Sequence, residues 1–408
     1  MTSALDEPTV KVGRRWVNSW TAGLFGVAMA NYACAQIVLP KHADLIAGTA
    51  GKVGLIAWAT GVASIVTIIV TLLVGALSDR TTAARGRRQI WVLCGAVLAG
   101  VALAGQGLVA SAIGFILVWA VVQIGLGAMG AALAAAVPDE VPVEQRAYVS
   151  GYMGLAYAIG PLLGIALVSV VITDVPPAYA VLGVLLVLLA LPYARSRSVP
   201  LRQEERRPLS PVAFLVGIFA PLKHADFAWA WSGRFFIQLS NALAQVFLYF
   251  YLQDFVHYPD PELGTLILSG VYTIAVCAVA VPAGKISDRT LKRKRMVWIS
   301  SLMQGGSGLI FAFLPVFEWN VVGAVLLGLG YGVYASVDQA LITQVLPNAE
   351  DRGKDLGVIG IANVLPYMLT GVIGGIAIEV FGYPTLMVLV LVTAVIAAVT
   401  VAPIKSVK

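Results

Sequence analysis

Charge is what this sequence has least of. Asp, Glu, Lys and Arg make up 12% of its 408 residues, against about 25% in a soluble globular chain. The 27 basic and 21 acidic side chains cannot coat the surfaces of several water-soluble cores. Cysteine is scarce too: Cys34, Cys94 and Cys277 all sit in apolar runs, which excludes a disulfide framework and leaves them as small hydrophobes. The three histidines, His42, His224 and His257, lie far apart and share no metal-ligand spacing with a cysteine, so no metal or other cofactor is expected. A GxxxxGK phosphate loop is missing, which argues against ATP as an energy source. Disorder needs low hydrophobicity and high charge, whereas this chain is 59% hydrophobic with a mean hydropathy of +0.88.

What is there instead is a series of long apolar runs. A helix needs about 20 mainly apolar residues to cross the hydrocarbon core. Twelve runs qualify: 17–39, 53–77, 89–110, 112–137, 147–173, 178–194, 227–253, 263–285, 296–316, 319–346, 356–380 and 383–403. A thirteenth, Val212 to Ala220, is too short and is flanked by Arg202, Arg206, Arg207 and Lys223, so it reads as an interfacial segment. With the N-terminus inside, 24 of the 27 bases fall in cytoplasmic segments, as the positive-inside bias requires. Only Lys41 and Lys52 then lie outside, and only Arg234 lies within a span. The expectation is an all-α membrane protein of the plasma (inner) membrane, both termini cytoplasmic. The surplus of bases marks one membrane face and carries no nucleic-acid signal. Asp6 and Glu7 precede span 1 without a small-residue cleavage pattern, so span 1 is expected to target the chain itself.

The chain also repeats. GALSDRTTAARGRR (75–88) follows span 2 and GKISDRTLKRKR (284–295) follows span 8. Gly75, Asp79 and Arg80 match Gly284, Asp288 and Arg289 at an offset of 209; Pro138 and Pro347 repeat that offset, and Asn31 and Asn241 are 210 apart. Internal repetition on this scale in an apolar chain is the mark of a two-bundle secondary transporter. The expected organisation is an N-terminal six-helix bundle (1–196), a cytoplasmic linker (197–226) and a C-terminal six-helix bundle (227–408).

The repeated G-x-x-x-D-R loop with its arginine cluster resembles the signature loop of the major facilitator superfamily, and the resemblance covers the whole chain. It implies a latch on the cytoplasmic side built from Gly75, Asp79, Arg80, Gly284, Asp288 and Arg289, with Arg146 and Arg352 as the opposite partners. The physical logic is that glycine lets helices approach closely, while an aspartate beside arginines forms a cluster that can make and break. The plainer reading is that these charges mark the interface. A narrower similarity, in LPNAEDRGKDLGVIGIAN (346–363) and DFAWAWSGRFF (226–236), is to bacterial relatives of proton-coupled sugar and sucrose carriers. GPLLG (160–164) resembles only part of the antiporter motif, and span 4 lacks the arginine typical of proton-driven drug exporters.

Ionisable groups inside a span are costly and point to function. Asp338 and Arg234 are the two that lie deep. Tyr331, Tyr334 and Asp338 share one face of span 10 by their spacing, and Arg234, Gln238, Asn241 and Gln245 form one polar stripe along span 7. In the superfamily, spans 1, 4, 7 and 10 line a central cavity, which implies Asn31, Tyr32 and Gln123 as further lining, with Asn363 and Tyr367 as second choices. Asp338 is expected to take up the coupling proton, paired with Arg234 or with substrate in alternate states; the plainer reading is a static pair holding helices together. Glu379, near the outer end of span 11, ranks below it. GLGAMG (125–130) has the form of a dinucleotide fingerprint but sits inside an apolar span, where small residues serve helix packing. No nucleophile–base or metal constellation falls in the spans, so an enzyme is not expected. The sequence reads as a secondary active transporter of a small solute, proton-coupled, with sugar or other polar-solute symport favoured. Proton-driven export of amphipathic compounds is the alternative, and a non-transporting assembly or receptor protein the remote one. The partners expected are the solute, protons and lipid, with no obligate protein partner evident.

Overall fold

The structure, a computed structural model, describes residues 8–198, 220–290, 292–345 and 352–404, with backbone only at 143, 147, 220, 221, 281, 288, 339–345 and 352–360. The described residues form helices α1 (Arg14–Ala33), α2 (Leu39–Ser78), α3 (Gln89–Gln106), α4 (Ala112–Glu140), α5 (Val143–Ala166) and α6 (Val175–Ala194) in the first half. In the second half they form α7 (Ala225–Val246), α8 (Pro261–Thr290), α9 (Arg293–Phe313), α10 (Phe317–Val345), α11 (Arg352–Phe381) and α12 (Tyr383–Val401). A lipid-exposed backbone has no water to bond, so each segment must satisfy its own amides, and helices do so. The linker segment 199–219, with most of the short run at 212–220, lies outside the described residues, as do 346–351.

Ten helical segments among the described residues are long and apolar enough to cross a membrane. The first, Arg14–Ser78, is 65 residues, about 98 Å if straight and so about three times the hydrocarbon thickness. It breaks at Gly48, whose φ of +61° and ψ of −174° fall in a region only glycine occupies readily. An eleventh crossing is α7 together with Leu248–Phe255, bent by 45°. Because α7 carries the polar stripe, only the two helices together are apolar enough to cross. With the first segment counted as two crossings about that break, the described residues hold the twelve that the apolar runs predict. Several helices outrun those runs at their polar ends: α4 continues to Glu140 and α8 to Thr290. Short π turns interrupt the outer parts of the first, fifth and seventh crossings, at Cys34–Val38, Leu167–Val171 and Tyr251–Phe255.

Packing divides the chain into two compact units, Met1–Leu55 with Val62–Leu209, and Ile56–Gly61 with Ser210–Lys408. Within the first, α3 packs on α4 and α6, and α1 on α5 and α6; within the second, α9 packs on α10 and α12, and α7 on α11 and α12. The four pairings recur six helices apart, so the sequence repeat is also a packing repeat. Trp20, Phe115, Tyr179 and Tyr193 fill the first interior; Phe227, Phe247, Phe250 and Tyr251 fill the second. Trp20 Nε1 donates to the Leu133 carbonyl and the Tyr251 hydroxyl to the Phe311 carbonyl, both at 2.8 Å, whereas the buried Tyr179 hydroxyl has no hydrogen-bond partner among the described residues. Large apolar side chains such as Val101 and Leu302 remain exposed, as expected where lipid replaces water. The closest helix approach in the first unit is glycine on glycine: a Cβ at Gly125 would lie 2.5 Å from the Gly95 carbonyl, and one at Gly95 would lie 2.6 Å from that of Gly125. Gly125 opens the GLGAMG run, which therefore serves α3–α4 packing.

Candidate functional site

In the second unit, α7, α10 and α11 bring together most of the polar groups that their sequences place within spans. Arg234 Nη1 lies 2.9 Å from Asp338 Oδ2, with side-chain exposures of 10% and 7%. The other carboxylate oxygen is taken by Tyr334, whose hydroxyl donates to Asp338 Oδ1 at 2.6 Å. Tyr334 and Asp338 are four residues apart on one helix face, so α10 itself orients its acid. On the other side, Arg234 Nε donates to Asn363 Oδ1 at 2.9 Å, and Gln238 Nε2 donates to the same oxygen at 3.1 Å. The guanidinium thus joins an acid on α10 to an amide on α11. Because an arginine can only donate, it also fixes which end of Asn363 faces it.

The stripe continues along α7. Gln245 donates to Asn241 Oδ1, and Asn241 Nδ2 donates to the Tyr272 hydroxyl of α8 at 3.1 Å. Tyr272, Tyr331 and Tyr334 follow one another at ring separations of 6.1 and 6.3 Å. Tyr334 also packs with Ile237 of α7 and Ala397 of α12 in one buried cluster. A small cavity of about 20 Å³ beside Gln245, Ser269 and Tyr272 is the size of a single water. Tyr367 is half-buried on α11, and Glu379 is exposed near its end.

The first unit carries a neutral counterpart. Gln123 of α4 donates to Asn31 Oδ1 of α1 at 3.0 Å, and Thr67 of α2 donates to Gln123 Oε1 at 3.3 Å. Tyr32 is half-buried next to Asn31.

The arginine loop between α2 and α3 is built around an acid that the motif reading does not include. Arg87 Nη2 lies 2.5 Å from Asp139 Oδ1 and Arg88 Nε 2.6 Å from Asp139 Oδ2. Arg88 also pairs with Asp79 and donates to Ser78. Burial works against the charge of Arg88, but Asp139 and Asp79 outweigh it and hold the guanidinium above its ordinary pKa. The neighbouring Glu140 accepts from Trp16 Nε1 at 2.5 Å, Tyr193 at 3.0 Å and Gln89 at 3.2 Å. This cluster ties the ends of α1, α3, α4 and α6 together. Arg80 donates to the Ala76 carbonyl at 2.5 Å, and Arg146 to the carbonyls of Val141 and Pro138 at 3.1 and 3.2 Å.

In the described conformation Asp79 pairs with Arg88 of its own loop, nine residues on and itself held by Asp139. Among the described residues nothing lies within 4 Å of a Cβ placed at Gly75, and only Ser336 Cβ, at 3.9 Å, near one at Gly284. Arg289 is exposed at the end of α8. The side chains of Asp288 and Arg352 lie outside those described. Asp139, Glu140, Tyr272 and Thr67 were missed. A search for acids complementing the arginine cluster would have found Asp139 and Glu140, which directly follow the repeated Pro138; Tyr272 and Thr67 carry no such signal.

Comparison with known proteins agrees with this architecture. The family model of the Major Facilitator Superfamily matches residues 16–269 and 230–406. No curated protein sequence matches the chain. Among solved structures, it is similar to the nucleoside transporter NupG at 13% identity, covering 97% of this chain and 100% of that one, with a TM-score of 0.75. It is also similar to a POT family transporter in complex with a thioalcohol-conjugated peptide, at 13% identity and a TM-score of 0.73, with 95% of each chain covered. The peptide transporter POT in complex with sulfate gives 12% identity and a TM-score of 0.73 over 99% of this chain and 98% of that one. At such identities the likeness is one of fold, and the family rests on the model that matches both halves. By that match the chain belongs to the Major Facilitator Superfamily, a membrane-embedded secondary transporter of a small solute and not an enzyme.

Proposed function

We propose that the protein couples proton movement to the transport of a sugar or another polar solute by symport, with Asp338 as the proton acceptor. The observation that carries this reading is the occupancy of Asp338: one oxygen on Arg234, the other on Tyr334, both inside a spanning unit. As an anion the carboxylate balances Arg234. Once protonated it no longer does, and a buried cation without a counter-group is costly. Oxygen atoms of a bound solute would replace the lost acceptor. The empty carrier is then balanced without the proton and the loaded carrier with it, which is the condition for coupling. Gln238, Asn241, Gln245, Tyr331 and Tyr334 supply amides and hydroxyls suited to hydroxyl-bearing solutes, with Asn31, Tyr32 and Gln123 as lining from the first bundle.

On this reading the bundles 1–196 and 227–408 alternate access about the linker 197–226, the protein works in the plasma membrane with both termini cytoplasmic, and Asp79, Arg80, Arg146, Asp288, Arg289 and Arg352 with Gly75 and Gly284 form the cytoplasmic latch in another state of the cycle. The test is a screen of sugars and nucleosides on proteoliposomes carrying a trapped pH dye. Symport predicts that an active solute alkalinises the external medium, and that Asp338→Asn abolishes this while solute counterflow persists. External acidification would mean exchange and favour export of amphipathic compounds. No movement of any compound, together with stoichiometric copurification of a protein partner, would replace transport with an assembly role. Proton-driven accumulation that survives Asp338→Asn would remove Asp338 from coupling.

A further inference from the structure

The two arginine-rich loops are repeats of one another, but among the described residues several exposed bases of the second meet no carboxylate. In the first unit α3 begins at Gln89, directly after Arg87 and Arg88. A helix N-terminus already carries partial positive charge, so bases there are disfavoured. The chain answers with the two acids ending α4: Asp139 takes both arginines, and Glu140 takes Gln89. In the second unit α9 begins at Arg293, with Lys292 at its N-cap and Lys294 and Arg295 in its first turn, which holds no acid. At the offset of 209 that aligns Pro138 with Pro347, Asp139 and Glu140 become Asn348 and Ala349. Among the described residues no carboxylate pairs with Lys285, Arg289, Lys292, Lys294 or Arg295. Lys294 donates instead to the Ala402 carbonyl at 3.1 Å. Lys285, Arg289, Lys292 and Arg295 are exposed.

The surroundings of these bases say which anion fits. Arg295, Trp298 and Leu302 fall on one face of α9, and Trp298 and Leu302 are 44% and 65% exposed, so that face meets lipid. An exposed tryptophan next to a base is typical of the headgroup level of a bilayer. On α8, exposed Ile286 lies between Lys285 and Arg289. At 30 residues α8 is about 45 Å long, some 15 Å more than the hydrocarbon core, which carries its basic end into the headgroup layer. Only Leu291 and Lys292 separate α8 from α9, so the two sets of bases are adjacent. We propose that the end of α8 and the start of α9 bind the phosphate of an anionic phospholipid headgroup, which supplies the negative charge that Asp139 and Glu140 supply in the first unit. Lys292 and Arg295 are its principal ligands, with Arg289 and Lys285 at the end of the preceding helix.

Native mass spectrometry of the purified full-length protein titrated with phosphatidylglycerol and with phosphatidylcholine tests this. Each base near an anionic membrane surface is worth about a fivefold gain in association, so K292Q/R295Q should bind phosphatidylglycerol about 30-fold more weakly and phosphatidylcholine unchanged. R14Q/R15Q, which removes the same charge from the start of α1, should leave phosphatidylglycerol binding within about twofold. If K292Q/R295Q does not remain monodisperse, K292Q and R295Q taken singly should each show about a fivefold loss. Equal binding of the two lipids by the native protein, or equal losses in K292Q/R295Q and R14Q/R15Q, would overturn the proposal. So would displacement of phosphatidylglycerol by equimolar glycerol phosphate, which would make the site one for a soluble anion. A phosphatidylglycerol preference that arises only in E350Q/D351N would show that acids of the chain already fill the place.

Discussion

Asp338→Asn removes one half of a buried ion pair, and the structure says which half is costlier to lose. In the native protein Arg234 lies 2.9 Å from Asp338 with side-chain exposures of 10% and 7%. Removing one member of such a pair costs about 3–5 kcal/mol, most of it for stranding the other charge. In Asp338→Asn the stranded group is a guanidinium, which cannot shed its proton and keeps one described acceptor, Asn363. In Arg234→Gln the stranded group is a carboxyl, which can neutralise by taking up a proton and still has Tyr334 beside it. Asp338→Asn should therefore be the more destabilising, by a margin that widens as pH falls, because only the carboxyl of Arg234→Gln is relieved by acid. Arg234→Gln with Asp338→Asn leaves no charge and should recover most of the loss, giving a coupling of roughly 3 kcal/mol in the double-mutant cycle. Thermal unfolding of the purified variants in detergent at pH 5 and pH 8 reads out the ranking. Additive losses in the double variant, or an Arg234→Gln that is destabilised equally at both pH values, would refute the reasoning.

Three further outcomes follow from the packing. Gly125→Leu should lower thermal stability by a margin equivalent to about 1–3 kcal/mol or abolish expression, since even a Cβ would strike the Gly95 carbonyl, whereas Gly130→Ala, with open space at that position, should be neutral or gain up to about 1 kcal/mol. Asp139→Asn releases Arg87 and Arg88 together and should increase tryptic cleavage of the 79–88 loop several-fold, while Asp79→Asn, with Arg88 still held by Asp139, should increase it little. Gln145→Ala removes both hydrogen bonds that clamp the backbone of Val12, each 2.8 Å long, and should expose Lys11 to trypsin without changing the melting temperature by more than a degree or two.

The twelve crossings and their repeat were legible because hydropathy and charge placement are one-dimensional signals that a bilayer enforces residue by residue. The α7 stripe was legible for a related reason: Arg234, Gln238, Asn241 and Gln245 recur at helical spacing where polar residues are expensive, so periodicity alone puts them on one face. What the stripe would touch was not legible. Asn363 ranked as a second choice because a lone amide on α11 has no pattern around it, yet it accepts from both Arg234 and Gln238. Tyr272 went unnoticed because an aromatic in an apolar span looks like core until a neighbouring helix offers it an Asn241 amide. The loop motif was recognised from Gly75, Asp79 and Arg80, but its mechanical centre is Asp139, which lies 51 residues beyond Arg88. Motifs report chain neighbours, and ion pairs report spatial ones.

The two units differ most where their sequences are least repeated, and that difference bears on coupling. Asn31 and Asn241 occupy matching positions, and each anchors a polar group from its own unit: Gln123 from α4 in the first, Tyr272 from α8 and Gln245 in the second. In the second, the same helix α7 also carries Arg234 and Gln238, which join Asp338 and Asn363 in a separate set of bonds among the described residues. A proton acceptor in each unit would allow solute and proton to bind independently. Under the proposed symport, a single acceptor at Asp338, joined through Arg234 to Asn363, would make the charge balance of that site depend on both ligands at once. Moving the acid should therefore uncouple transport even where the charge count is kept. Asp338→Asn combined with Gln123→Glu retains one acid in the spans, but places it beside Asn31 and Thr67 with no basic partner among its hydrogen-bonded neighbours. Counterflow of an active solute should survive in that variant and proton-driven accumulation should not. Accumulation at the native level would mean that the Arg234 bridge has no part in coupling.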